Sequence, residues 1–350
     1  MSTRRRSLPT GYHSPQMDVE VRLNTNESPW PPPVGFAEKL AEEISRLAFN
    51  RYPDREATRL REAIGARHAV EASQVFCTNG SNESIQLVLL ARGGPGKRAS
   101  VFTPTYALHS HLSRLTGTEI LEHERAEDFR LRPDLVKQVA VSESPEIVFL
   151  CIPNNPTGTL DEATVIDAAL SGAGLVLVDE AYGEFAGVRS VATRTAGEDV
   201  VVFRTFSKAW AMAGLRLGYT IAAEGLVSEM EQLALPYHLD AVKQVAGRVA
   251  LSFESEMTER VAAIVSERDR IGSELRSMSI RTWDSAANFV LFRPEASASV
   301  VWAELVQRSV LVRDLSSMPG LDGCLRVTAG TATENDRFLA ALSDVLKEGS

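Results

Sequence analysis

Lysine 208 stands in an unusual place. The stretch VVFRTFSKAWAMAGLRLGY, residues 201–219, carries a β-rich apolar run that stops at Thr205-Phe206-Ser207, and Lys208 follows among small and apolar residues. An ammonium so placed is poorly solvated, loses its proton more easily and becomes an amine able to add to a carbonyl carbon. A half-buried lysine more often only snorkels to water, so the reading depends on what else the chain brings alongside it. Gly214 and Arg216 follow, then a second apolar run through Tyr219 to Ala222, which puts one lysine and one arginine beside a turn between two strands. Upstream, the wholly apolar run Leu175–Val178 ends in Asp179. A carboxylate at the end of an interior strand is costly unless it meets a cation or a donor.

The elements that would position these groups alternate between strand and helix. Gln74–Thr78 reads as a strand, and Thr78-Asn79-Gly80-Ser81-Asn82-Glu83 turns it into a helix, 84–91. A strand, a glycine turn and a helix aim backbone N–H groups at an anion such as phosphate, although the same pattern also makes an ordinary capped helix. Strands are then expected at 99–102, 119–122 and 146–151, with helices at 105–115 and 133–141. This rhythm predicts a mainly parallel sheet with right-handed crossovers, whose ligands bind at the carboxyl ends of strands. Each polar cluster falls at such an end: Thr103-Pro104-Thr105-Tyr106, Pro153-Asn154-Asn155-Pro156-Thr157-Gly158 and Asp179-Glu180-Ala181-Tyr182. His109 and His111 stand two residues apart on a helix and do not share a face, so no metal is expected there.

The chain has 350 residues, 44% of them hydrophobic and 24% charged, as in an ordinary globular protein with a substantial core. A net charge of −9 argues against nucleic acid or an anionic membrane as partner. The three cysteines are far apart and imply buried free thiols in a reducing compartment, so a cytoplasmic location is expected. No apolar run reaches the roughly 20 residues that span a bilayer, and the basic start MSTRRRSLPT lacks the apolar segment of a secretion signal. The expected organisation is an N-terminal arm rich in proline (1–34), a large α/β domain (35–240), a bridging helix (241–278) and a small α+β domain (279–350) carrying Arg313 and Arg326 on strands.

The strings LNTNESP, RYPD, NGSNE, PTYALH, PNNPTG, VDEAYGEF, RTFSKAWAMAGLRLGY, ANFVLF, LRVTAG and ATEND, in this order over nearly the whole chain, resemble the fold-type I pyridoxal-phosphate aminotransferases, and most of all the histidinol-phosphate aminotransferase branch. The resemblance implies pyridoxal 5'-phosphate bound covalently at Lys208, which would then shuttle a proton as a free amine. Asp179 would pair with the pyridine nitrogen, Asn155 and Tyr182 with the ring 3-oxygen, and Tyr106 would stack on the ring. Gly80, Ser81, Asn82, Ser207 and Arg216 would hold the phosphate. Tyr52 would reach the cofactor phosphate of a neighbouring subunit, which implies a homodimer with shared sites. Tyr12 and Asn26 from the arm, with Arg313 and Arg326, would grip the substrate.

The substrate is less fixed than the cofactor. The family's arm often reads Asn-Glu-Asn-Pro, whereas this chain has Asn26-Glu27-Ser28-Pro29 followed by bulky Trp30. Two arginines and Tyr12 fit a phosphate monoester and also a carboxylate. The expectation is amino transfer between glutamate with 2-oxoglutarate and imidazole-acetol phosphate with histidinol phosphate. An aminotransferase for aromatic or specialised substrates and a pyridoxal-phosphate lyase or decarboxylase of a phosphorylated amino acid stand as alternatives. A ligand-sensing regulator would need a DNA-binding segment, for which an arm of about 30 residues is too short.

Overall fold

The computed structural model describes residues 15–197 and 199–348. In chain order the strands are β1 (Val21–Leu23), β2 (Val75–Thr78), β3 (Arg98–Thr103), β4 (Glu119–Glu124), β5 (Ile147–Cys151), β6 (Leu175–Asp179), β7 (Val200–Thr205), β8 (Gly218–Ile221), β9 (Arg281–Thr282), β10 (Phe289–Arg293), β11 (Val310–Asp314) and β12 (Leu325–Thr328). The helices are α1 (Phe36–Ser45), α2 (Thr58–His68), α3 (Ser81–Arg92), α4 (Ala107–Thr116), α5 (Pro133–Glu143), α6 (Thr164–Leu170), α7 (Glu224–Leu233), α8 (Ala241–Leu251), α9 (Glu254–Ser277), α10 (Ala298–Gln307) and α11 (Ala332–Glu348).

Seven strands form one sheet in the order β2-β8-β7-β6-β5-β3-β4. The run from β7 to β4 is parallel, and β8 lies antiparallel to both β2 and β7. The interior strands are apolar without alternation because helices cover both faces. Along β5, Ile147 and Phe149 join one hydrophobic cluster while Val148 and Leu150 join the other, and Val176, Leu177 and Val178 of β6 divide the same way. Burying each such side chain stabilises the fold by roughly 1.5–3 kcal/mol. The strand–helix rhythm therefore produces the expected α/β architecture, and β5, β6 and β7 end side by side at one edge.

A second sheet has the order β1-β11-β12-β10-β9. Its first strand comes from the stretch expected to be an irregular arm. Val21–Leu23 pairs in parallel with Val310–Val312, and Val21 and Leu23 are buried. The arm thus contributes to the core of the C-terminal half. The continuous helix expected over 241–278 is in fact α8 followed by α9. Ser252 Oγ bonds back to the Val249 carbonyl (2.7 Å), and the Phe253 ring turns onto Phe36 of α1, with centroids 6.1 Å apart. A local hydroxyl–backbone bond and a tertiary aromatic contact outcompete helical continuity at this point. Among the described residues no helix is long and apolar enough to cross a membrane.

Candidate active site

The ends of β5, β6 and β7, the turn before α3 and residues 25–26 enclose a cavity of about 200 Å³. Lys208 reaches into it from the loop after β7, and its Nζ donates to the Thr25 carbonyl (3.0 Å). Burial, followed by the positive charge of Arg326, pushes the lysine pKa down to about 8 from 10.5; Glu27 opposes the shift and Arg216 adds to it. In cofactor-free protein the capture of an aldehyde by Lys208 is therefore expected to accelerate with rising pH around a midpoint near 8. A stopped-flow pH profile checks this. Arg326→Gln should move the midpoint upward, because a neighbouring positive charge that favours the neutral amine is removed.

One end of the cavity is built for an anion. Ser81 opens the 12-residue helix α3, and Gly80 precedes it with φ 89°. A Cβ on Gly218 would lie 2.4 Å from the Ser81 nitrogen, so close backbone approach requires that glycine, while at Gly80 it is the positive φ that does, a Cβ there also crowding Arg216 Nη2 at 2.7 Å. Arg216 itself has φ 58°, and its Nη1 donates to Ser207 Oγ (3.2 Å) and to the Ala213 carbonyl (3.1 Å). Ser207 is fixed in turn by Thr205, whose Oγ1 accepts from the Ser207 nitrogen (3.1 Å) and donates to Ser207 Oγ (2.9 Å). A helix N-terminus, a hydroxyl and a guanidinium converge as a phosphate dianion requires.

The opposite end holds a carboxylate. Asp179 is 3% exposed; Oδ1 accepts from the Ala181 nitrogen (3.0 Å), and Oδ2 lies 3.2 Å from His109 Nε2. His109 is fully buried, stacked on Phe149 (4.6 Å, 16°) and met edge-on by Tyr106 (5.4 Å, 89°). The next residue, Glu180, is anchored by Arg204 at 3.1 Å, and Arg204 also meets Glu184 at 3.3 Å. Cys151 ends β5 beside the carboxylate, and burial together with the Asp179 charge pushes its thiol well above the ordinary range.

The remaining wall carries the polar groups expected to orient ligands. Tyr106 donates to Asn82 Oδ1 (3.2 Å), and Tyr182 OH accepts from Asn26 Nδ2 (2.9 Å). Burial raises the Tyr182 hydroxyl pKa, so it stays protonated. Arg326 donates to Asn155 Oδ1 (2.6 Å) and to the Asn24 carbonyl (3.1 Å), with its guanidinium over the Phe289 ring (4.9 Å).

The structure thus gathers Lys208, Asp179, Tyr182, Ser81, Asn82, Tyr106, Asn155, Ser207, Arg216, Asn26 and Arg326 around one cavity, with Gly80 beneath Arg216. Two expected residues stand apart, and a third is not described. Arg313 on β11 lies directly across from Arg326 on β12 and is not part of this lining. Tyr52 is 79% exposed and stacks on Tyr237 instead (4.4 Å, 12°). Tyr12 lies outside the described residues. Sequence reasoning missed His109 as a partner of Asp179, having considered it only with His111. The useful signal was its spacing from Tyr106, three residues on and on the same helical face. It also missed the carbonyls of Asn24 and Thr25, which no side-chain pattern reports. Among the described residues no group of three His, Cys, Asp or Glu side chains is gathered as for a metal ion.

The sequence pattern of the aminotransferase class I and II family matches residues 19–342. The chain belongs to this family. It is 44% identical to a histidinol-phosphate aminotransferase of Frankia casuarinae, over 96% of this chain and 87% of that relative. It is 41% identical to the histidinol-phosphate aminotransferase of Mycolicibacterium smegmatis, over 94% of this chain and 89% of the relative. The crystal structure of a histidinol-phosphate aminotransferase from Sinorhizobium meliloti in complex with pyridoxal-5'-phosphate has the same fold, with a TM-score of 0.86 at 22% identity, over 95% of this chain and 92% of that one. This aminotransferase is pyridoxal-phosphate-dependent. Its own residues fit the cofactor: the glycine-floored anion cradle suits the phosphate, the buried carboxylate suits a protonated ring nitrogen, and an amine with a lowered pKa lies between them.

Proposed function

We propose that the chain transfers an amino group between glutamate with 2-oxoglutarate and imidazole-acetol phosphate with histidinol phosphate, a step of histidine biosynthesis. The observation that carries this reading is the 41–44% identity to histidinol-phosphate aminotransferases over nearly the full length. The arginine placement supports it, since Arg326 faces the cavity and its cross-strand neighbour Arg313 adds a second positive charge on the same sheet.

When bound, pyridoxal phosphate supplies an electron sink for the electron pair left as a proton leaves the substrate carbon. Ser81, Ser207 and Arg216 hold its phosphate, and Asn82 orients Tyr106 against the ring. Asp179, kept in place by Ala181 N–H and His109, holds a proton at the ring nitrogen. Asn155 and Tyr182 donate to the ring oxygen. Lys208 Nζ would move the proton at the substrate carbon, and the burial and Arg326 charge that lower its pKa to about 8 favour the free amine a general base requires. Arg326 would bind the anionic end of the substrate beside Asn26, with Arg313, outside the cavity lining but across the strand pair, adding its charge, and Tyr12 of the arm as a further candidate. Tyr52, exposed and stacked on Tyr237, would be free to reach the cofactor phosphate of a second copy in a homodimer. Three buried free thiols suit a reducing cytoplasm.

A panel of amino donors tests the reading. Holoprotein mixed with histidinol phosphate is expected to lose the visible absorbance of its bound aldehyde cofactor as the amine form of the cofactor accumulates. If histidinol phosphate leaves the spectrum unchanged while phenylalanine or tyrosine converts it, the aromatic alternative replaces this one. Release of carbon dioxide from a phosphorylated amino acid would instead mark a decarboxylase.

A further inference from the structure

The loop Leu235-Pro236-Tyr237-His238, between α7 and α8, touches both the exposed tyrosine and the anion cradle. Tyr237 stacks on Tyr52 at 4.4 Å and 12°, and it does so from a backbone with φ 56°, a conformation that L side chains rarely adopt. Such an outlier persists only where its surroundings over-determine it. Those surroundings are supplied by His238. Its ring is stacked on Phe76 of β2 (5.2 Å, 14°), and Nε2 lies 2.8 Å from the Cys77 carbonyl, which requires a hydrogen on Nε2. The carbonyl of His238 accepts from Asn79 Nδ2 (3.1 Å), and Asn79 stands directly before Gly80 and Ser81 of the cradle. Gln244 Nε2 closes the assembly, donating to the Asp54 carbonyl (2.8 Å) of the Tyr52 loop and to the Leu239 carbonyl (2.9 Å).

We propose that His238 is a positioning residue: by fixing Tyr237 against Tyr52, it holds Tyr52 in the pose that reaches the cofactor phosphate of the second copy. The inference rests on the shared-site homodimer described above. Tyr52 has no buried packing of its own, being 79% exposed, so its direction is set by the ring beneath it. Phe49, three residues before Tyr52, is 71% exposed and Leu235, two residues before Tyr237, is 78% exposed, so the two loops carry further apolar side chains that a second copy could cover. Removing the His238 ring frees Tyr237 to leave its strained backbone conformation, and Tyr52 then loses its support.

The experiment is a double-mutant cycle read by titrating cofactor-free protein with pyridoxal phosphate and measuring its dissociation constant. His238→Ala is expected to weaken binding about tenfold, as for loss of one hydrogen bond that positions a charge-assisted contact. His238→Gln, able to donate to the Cys77 carbonyl, should recover most of it. In a Tyr52→Phe background, His238→Ala should add less than about twofold, because contacts acting through one another are not additive. Thermal midpoints of the cofactor-free proteins and light scattering report whether fold and dimer survive. If His238→Ala leaves the constant unchanged, or if its effect adds fully to that of Tyr52→Phe, His238 does not act through Tyr52 and the proposal is overturned. If Tyr52→Phe alone has no effect, or if wild-type protein is monomeric and fully active, the shared-site reading itself has failed.

Discussion

Lys208→Ala protein is expected to lose transamination by a factor on the order of 10⁴ or more while keeping its fold. In the proposed mechanism the lysine would supply two functions that no neighbour replaces: covalent capture of the cofactor and proton transfer at the substrate carbon. Its Nζ bonds the Thr25 main-chain carbonyl and lies 5.9 Å from the centre of the Tyr182 ring, so the substitution gives up one hydrogen bond and one cation–π contact. The substitution should therefore shift the thermal midpoint little, and it relieves the burial of an amine whose pKa is already depressed. Borohydride reduction followed by mass spectrometry provides the check. Wild-type holoprotein should gain the cofactor's mass on the peptide containing residue 208, and the variant should not. Retention of a reducible chromophore in the variant would place the covalent attachment elsewhere.

Asp179→Asn is expected to cost roughly 10²–10³ in turnover, the scale of breaking one buried charge pair. The two side chains have the same shape, and the Ala181 N–H can still bond the remaining oxygen, so the cavity should be preserved. What would be lost is the negative charge that, in the proposed mechanism, keeps the ring nitrogen protonated. The variant should still bind pyridoxal phosphate and still be reducible by borohydride, yet convert slowly to the amine form when given a donor. Single-turnover spectroscopy separates these steps. A variant that fails to bind the cofactor would assign Asp179 to binding rather than to proton retention.

The legible part of this site lay where side-chain chemistry conflicts with burial. Asp179 closes an apolar strand and Lys208 follows one, and each conflict points to a partner from the sequence alone. The mainly parallel character of the sheet was equally legible, since helices covering both faces impose the uninterrupted apolar runs Ile147–Cys151 and Leu175–Val178, whereas the order of its strands was not. Main-chain groups were not. The Thr25 and Asn24 carbonyls that accept from Lys208 and Arg326 are chemically identical to every other carbonyl in the chain. The pairing of β1 with β11 joins segments at opposite ends of the sequence, and neither strand is long enough to announce its partner. The break between α8 and α9 escaped because Phe253 fits helical periodicity as well as it fits the pocket against Phe36. His109 was compared with its nearest histidine when its true neighbours, Asp179 and Phe149, come from strands far away in sequence.

Cys151 gives the cavity a chemoselectivity. An aldehyde entering it meets two side chains able to attack a carbonyl carbon, the amine of Lys208 and the thiol of Cys151. Deep burial and the negative charge of Asp179 raise the thiol well above its ordinary range, while burial and the charges of Arg326 and Arg216 lower the amine to about 8. The same electrostatic gradient that silences one nucleophile arms the other. Addition is thus directed to nitrogen even though sulfur is intrinsically the softer and more reactive atom, and the enzyme avoids a competing thiol adduct without having to exclude cysteine from the cavity wall.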